Sequence, residues 1–177
     1  MTGMKEAILL GLISLTCLTA QAASQQSSLK FTVPAGWIEE ERTSSMRVAQ
    51  YRLPKAAGDT EDASVVLYYF GQRQGGSAAA NIERWIGQVK QAEGSSAKEE
   101  HWDVNGLKVT AVDVAGTYVA ETAPGSGTFF NKPSYRLRAA VVETPNGSYY
   151  VKLVGPEKTV AQWNDSFVTY LKSFQFK

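Results

Sequence analysis

The chain has 177 residues, 44% of them apolar and 20% charged, with 18 basic and 17 acidic side chains mixed along it for a formal charge of +1. A unit of this size buries about 70% of its extended surface, so a core can form without staples, and the composition excludes a disordered chain. With the charge balanced, there is no basic field for phosphate backbones, and nucleic acid is not an expected partner.

The first two dozen residues read as an export signal. Lys5 gives a short positive region, Ala7 to Ala20 is almost wholly apolar, and Ala20-Gln21-Ala22 is an A-x-A cleavage pattern that places the cut before Ala23 or Ser24. The expectation is a signal peptide over 1–22 and a single α+β domain over 23–177, periplasmic or secreted, that meets a membrane only through the signal before cleavage. The apolar run, about 14 residues, is too short to span a bilayer as a helix. Cys17 is the sole cysteine, and Ser14 and Thr16 stand where a lipoprotein signal has Leu and a small residue, which argues against lipid attachment. Cleavage after Ala22 removes it, and with it disulfides, thiolate zinc sites and a cysteine nucleophile.

Leu29, Phe31 and Val33 alternate with polar residues before Pro34-Ala35-Gly36 and predict a short strand. Met46 to Leu53 reads as a second strand, stopped by Pro54, and the polar, acidic stretch Ala56 to Asp62 as a loop. Ser64 to Phe70 is a continuous run of Val, Leu, Tyr and Phe bounded by Gly71, as expected of a strand buried on both faces in the middle of a sheet. After Gly75-Gly76, Ser77 has N-cap chemistry. Ala78, Ile82, Trp85, Ile86 and Val89 then recur at helical spacing up to Gly94, so this helix should lay one apolar stripe on the sheet.

Lys98 to Val104 and Leu107 to Val119 flank Asn105-Gly106, the dipeptide suited to a two-residue hairpin turn. Tyr135 to Glu143 and Ser148 to Val154 flank Pro145-Asn146-Gly147 and predict a second hairpin. Between them, Glu121 to Pro133 is a glycine- and proline-rich loop carrying Phe129 and Phe130. Thr159 and Gln162 have the spacing of a capping box, and Val160, Trp163, Phe167, Tyr170, Leu171 and Phe174 form the stripe of a closing helix. Three strands, a helix, two hairpins and a helix give the α+β class: a mainly antiparallel sheet of about six or seven strands packed between helices.

This order of elements, with Phe31-Thr32-Val33-Pro34-Ala35-Gly36-Trp37 near the start and Val151-Lys152-Leu153-Val154-Gly155-Pro156 before the last helix, resembles the PsbP-like superfamily. That group includes the extrinsic lumenal subunit of photosystem II and a Ran-binding nuclear-transport factor. The stretch from Gly75 to Trp85 is similar to that of exported bacterial members of unassigned function. The resemblance implies an α/β/α sandwich used for binding and assembly rather than catalysis, and it carries over no functional residue.

Each candidate site has a plainer reading. Glu99, His101 and Asp103 share one face of a strand, as weak metal ligands, as an acid/base pair, or as an ordinary solvated face. Asp59, Glu61 and Asp62 gather carboxylates in one loop, as hard-cation ligands or as solvated acids without EF-hand spacing. Gly71, Gly75 and Gly76 lack the rest of a phosphate-binding motif and read as a strand-to-helix turn. Gly125-Ser126-Gly127 is not a nucleophile elbow. Asn81 and Arg84 flank an apolar helical stripe, where an Arg beside aromatics can anchor a partner or simply face water. Phe129 and Phe130 either fold back as a lid on the core or mark a contact surface.

The sequence therefore points to a non-catalytic binding or assembly module, with no cofactor and with another cell-envelope protein as its partner. Phe129, Phe130, Asn81 and Arg84 are its binding candidates. The alternative is a hydrolytic or metal-dependent periplasmic enzyme that uses His101 with nearby carboxylates.

Overall fold

A computed structural model describes residues 28–177; the expected export signal, its expected cleavage site and Cys17 lie outside the described residues. The chain runs β1 (Leu29–Lys30), β2 (Ile38–Glu39), β3 (Arg47–Leu53) and β4 (Ala63–Tyr69), then α1 (Ala78–Ile86), β5 (Val89–Lys90), β6 (Lys98–Val104) and β7 (Leu107–Tyr118). It continues through β8 (Lys132–Thr144), β9 (Gly147–Pro156), α2 (Glu157–Gln162), α3 (Asn164–Lys172) and β10 (Gln175–Phe176). Eight strands form one antiparallel sheet in the order β2-β3-β4-β9-β8-β7-β5, with β6 also pairing β7, while β1 and β10 pair separately. Among the described residues no helix is long and apolar enough to cross a membrane.

Strand alternation sorts the core into two layers. Val109, Ala111, Ala140, Val142, Val151 and Leu153 meet Val160 of α2 and Phe167, Tyr170 and Leu171 of α3 on one face. Val112, Val114, Leu137, Ala139, Val141 and Tyr150 meet Ile82 and Trp85 of α1 on the other. This is the α+β arrangement, a mainly antiparallel sheet between helices. It has more strands than expected because Ile38–Glu39 and Val89–Lys90 are two residues each, too short to carry an alternating signature.

The departures from the sequence reading have local causes. The helix after Ser77 stops at Gly87, whose N–H closes on Glu83 and Trp85 carbonyls, and Val89 pairs Tyr118 on the edge of β7. Ala63–Tyr69 is buried on both faces, but β9 and β8 follow it before β7, so the middle of the sheet belongs to the second hairpin. In that hairpin Thr144 pairs Gly147, so Pro145 and Asn146 form the turn and Gly147 takes the positive φ, +110°. Thr159 is not an N-cap: the helix begins at Glu157, and the buried Thr159 hydroxyl donates 2.6 Å to Asp59 Oδ2 and accepts from Ala56 N. The closing helix is broken at Trp163 (φ −96°, ψ 5°), whose indole N–H donates 2.8 Å to Pro54 O.

Candidate functional site

On the α1 face, Gly71 to Ser77 carries the chain from β4 into the helix. Ser77 Oγ accepts from Ala80 N, 3.2 Å, so the N-cap works as its chemistry demands. Gly75 has φ +87°, and a Cβ there would stand 2.5 Å from the Tyr150 hydroxyl, so only glycine fits both the turn and the close approach. Tyr150 donates to Gly76 O, 2.9 Å, and Asn81 Nδ2 donates to Gly75 O and Ser77 O, both 2.8 Å. Asn81 is 1% exposed, so its buried amide locks the turn, while its Oδ1 accepts from Arg84. Asn81 thereby positions Arg84 on the outer margin of α1.

Arg84 opens onto a cleft of about 270 Å³ between α1, the sheet and the 121–131 loop, lined by Tyr68, Phe70, Arg84, Trp85, Gln88, Pro124, Tyr150 and Lys152. The rings of Tyr68 and Phe70 stack at 5.9 Å, and Phe70 leans on Tyr150 at 5.3 Å. Lys152 projects from β9 on the same face, its cross-strand neighbours being Val66 and Ala139. Its ammonium donates 2.6 Å to Gln88 Oε1 and 2.9 Å to Tyr118 Oη, and lies 5.1 Å over the Tyr118 ring. Burial, then the nearby Arg84 charge, pulls the Lys152 pKa down to about 8. Burial, then the Tyr68 hydroxyl, pushes Tyr118 up to about 12, so its phenol stays protonated. Among the described residues neither Arg84 nor Lys152 has a carboxylate within 4.0 Å.

The loop above this cleft separates the two phenylalanines. Glu121 and Phe129 bridge its base, and the Glu121 carboxylate accepts from Gly125 N at 2.9 Å and Gly127 N at 3.3 Å. Thr122 N reaches Thr128 O at 2.8 Å, which closes a turn that holds its own shape. Phe130 folds inward and stacks on Tyr118 at 5.6 Å, whereas Phe129 is 60% exposed. The two alternatives for this pair divide between them: Phe130 closes on the core and Phe129 faces water. A wider depression of about 820 Å³ lies near Gly116 and Pro133, but its charged residues Lys90 and Glu157 are exposed and opposite in sign.

The acidic loop is not drawn together. Asp59 caps Thr159, accepting from its N and hydroxyl; Glu61 accepts from Lys132 and from the Tyr135 hydroxyl at 2.9 Å; Asp62 accepts from Arg52 at 2.7 Å and Lys55 N at 2.8 Å. Those donors hold Glu61 and Asp62 below the usual carboxylate range, Lys132 and Arg52 being the main causes. His101, 67% exposed on β6, meets Glu99 at 3.2 Å and Thr110 at 3.4 Å, and with Thr110 and Asp103 it lines a shallow depression of about 250 Å³ to which Glu99 does not belong. Among the described residues no group of three or more His, Cys, Asp or Glu side chains is placed to hold a metal ion.

Sequence reasoning singled out Asn81, Arg84 and the two phenylalanines, of which the structure sets Arg84 in the cleft lining and Asn81 beside it, and did not single out Lys152, Gln88 or Tyr118. Lys152 sits in the apolar run Val151 to Val154, and a charge inside a doubly buried strand was the signal available.

No family model and no curated protein matches the chain. Solved structures do. LpqN from Mycobacterium tuberculosis, described as involved in cell envelope biogenesis, is similar at a TM-score of 0.54 and 10% identity, over 89% of this chain and 87% of that one. PsbP from the cyanobacterium Synechocystis is similar at 0.49 and 15%, over 90% and 99%. PA94, a Pseudomonas aeruginosa protein of unknown function, is similar at 0.43 and 17%, over 86% and 85%. The likeness to LpqN shows a shared fold.

Proposed function

We propose that this chain is an exported, non-catalytic binding module that recognises another protein of the cell envelope through the 121–131 loop, with Phe129 as the anchor. The observation that carries this reading is the exposed Phe129 ring on a loop already closed by its own hydrogen bonds. Burying a phenyl ring against a partner is worth about 2 kcal/mol. A loop that is ordered beforehand avoids much of the ordering cost, about 0.5–1.5 kcal/mol per side chain, that a mobile anchor incurs. The envelope setting rests on the export signal read in the sequence, and LpqN, which shares the fold, is described as an envelope-biogenesis protein.

The test is photo-crosslinking in the intact host, with a photoreactive phenylalanine analogue in place of Phe129 and, as a control, in place of the exposed Lys172. The expected result is one discrete envelope-protein adduct from position 129 and none from 172. Equal adducts from both positions, or none from 129, would overturn the reading.

A further inference from the structure

The hydrogen-bond ledger of the cleft is one-sided. An ammonium has three N–H donors, and Lys152 spends two on Gln88 Oε1 and Tyr118 Oη. Because Gln88 gives its carbonyl oxygen to Lys152, its amide NH₂ is left over. Because Tyr118 accepts from Lys152, its own O–H is left over. Neither has an acceptor among the described residues, and Arg84 has only Asn81. The spare N–H groups of Lys152, Gln88 and Arg84 are all donors, two of these side chains are cations, and no lining residue is acidic. Burying a cation beside neutral oxygens alone is costly, and an anion in the cleft would offset that cost.

We propose that the cleft binds a small organic carboxylate, its oxygens accepting from Lys152, Gln88 and Arg84 and its flat apolar body lying against Tyr68, Phe70 and Trp85. A carboxylate fits better than a phosphate. The turn that opens α1 presents the carbonyls of Gly75 and Gly76, already taken by Asn81 and Tyr150, rather than a cradle of free backbone N–H groups. The aromatic walls and the volume of about 270 Å³ suit a short, flat body. The same chemistry could be a free acid or the carboxyl terminus of a peptide ending in an aromatic residue. This inference is independent of docking through Phe129, which is outside the cleft lining.

The experiment is titration of the isotope-labelled protein, followed by amide NMR, with 3-phenylpropionate, its alcohol 3-phenylpropan-1-ol, and a tripeptide ending in phenylalanine as free acid or amide. The expected result is that an acid shifts resonances around Lys152 and Gln88 and binds at least tenfold tighter than its neutral counterpart. Lys152→Met should abolish that preference while leaving alcohol binding and the rest of the spectrum intact; Arg84→Gln should weaken the acid about threefold; Phe129→Ser should leave it within twofold, which separates this outcome from failure of the docking reading. Preference for phenylpropionate assigns a free acid, and preference for the tripeptide assigns a chain terminus. Equal binding of acids and neutral analogues, no perturbation by either acid at millimolar concentration, or undiminished acid binding by Lys152→Met would each overturn the proposal.

Discussion

On the face packed by α2 and α3, Arg138 is 4% exposed and lies 5.6 Å over the Phe167 ring, with Asp113 and Glu100 each 3.6 Å away and Asn164 accepting from it. On the face packed by α1, Lys152 is half-buried in the same sheet, and its partners are an amide oxygen and a phenol. Among the described residues Arg138 has carboxylates beside it and Lys152 has none. The difference teaches that one sheet can hold a cation with its counter-charge built in or with neutral partners, and that the two should respond differently to losing the charge. Asp113 strengthens the first arrangement by also pairing Arg136 side-on, with Nε to Oδ1 at 2.7 Å.

The sharpest way to break this comparison is to give both sites the same apolar side chain. Arg138→Met should cost about 3 kcal/mol, because it strands Asn164 and removes a counter-charge from Asp113 and Glu100. The urea midpoint at pH 7 measures it, and a loss under about 1 kcal/mol would show that the Asp113–Arg136 pair suffices alone. Lys152→Met should act with the opposite sign and gain about 2 kcal/mol, since it removes a buried charge while keeping the stem's volume. A lower midpoint there would make Lys152 a structural residue too.

A pH series sharpens the same contrast. Lys152 has its folded pKa lowered to about 8 from an ordinary 10.5. Below pH 8 both folded and unfolded chains hold the proton and the full cost of burial applies. Between pH 8 and 10.5 the folded protein has released it while the unfolded chain still binds it, so this group makes stability rise with pH through that window. Tyr118, which faces Lys152 and is pushed up to about 12, keeps its proton there. The advantage of Lys152→Met over the parent should therefore shrink by most of its roughly 2 kcal/mol between pH 7.5 and 10.5, measured as the difference in urea midpoints. A constant difference would mean that Lys152 keeps its proton in the folded state.

The smallest expected effects separate the paired rings of the loop. Phe130→Ser should lose about 1.5 kcal/mol because its ring stacks on Tyr118, whereas Phe129→Ser should stay within about 0.5 kcal/mol because its ring already faces water. Thermal unfolding of both variants checks this, and equal losses would show that the loop presents the two rings alike.

What the sequence determined by itself was local. The Asn105-Gly106 turn, with φ of +50° and +81°, the Ser77 cap and the doubly buried run of β4 follow from chemistry within a few residues, and so does the α+β class that those elements compose. The tertiary structure decided everything that depends on distant partners. It pulled Val89 from a helical stripe to the edge of β7, and it turned Asp59, Glu61 and Asp62 toward three different donors rather than toward one another. It also set Lys152 beside Gln88 and Tyr118, 64 and 34 residues away along the chain. Periodicity encodes which face a side chain takes, but it carries no term for the charge or hydrogen-bond partner that waits there, because those come from strands and helices that only folding brings together.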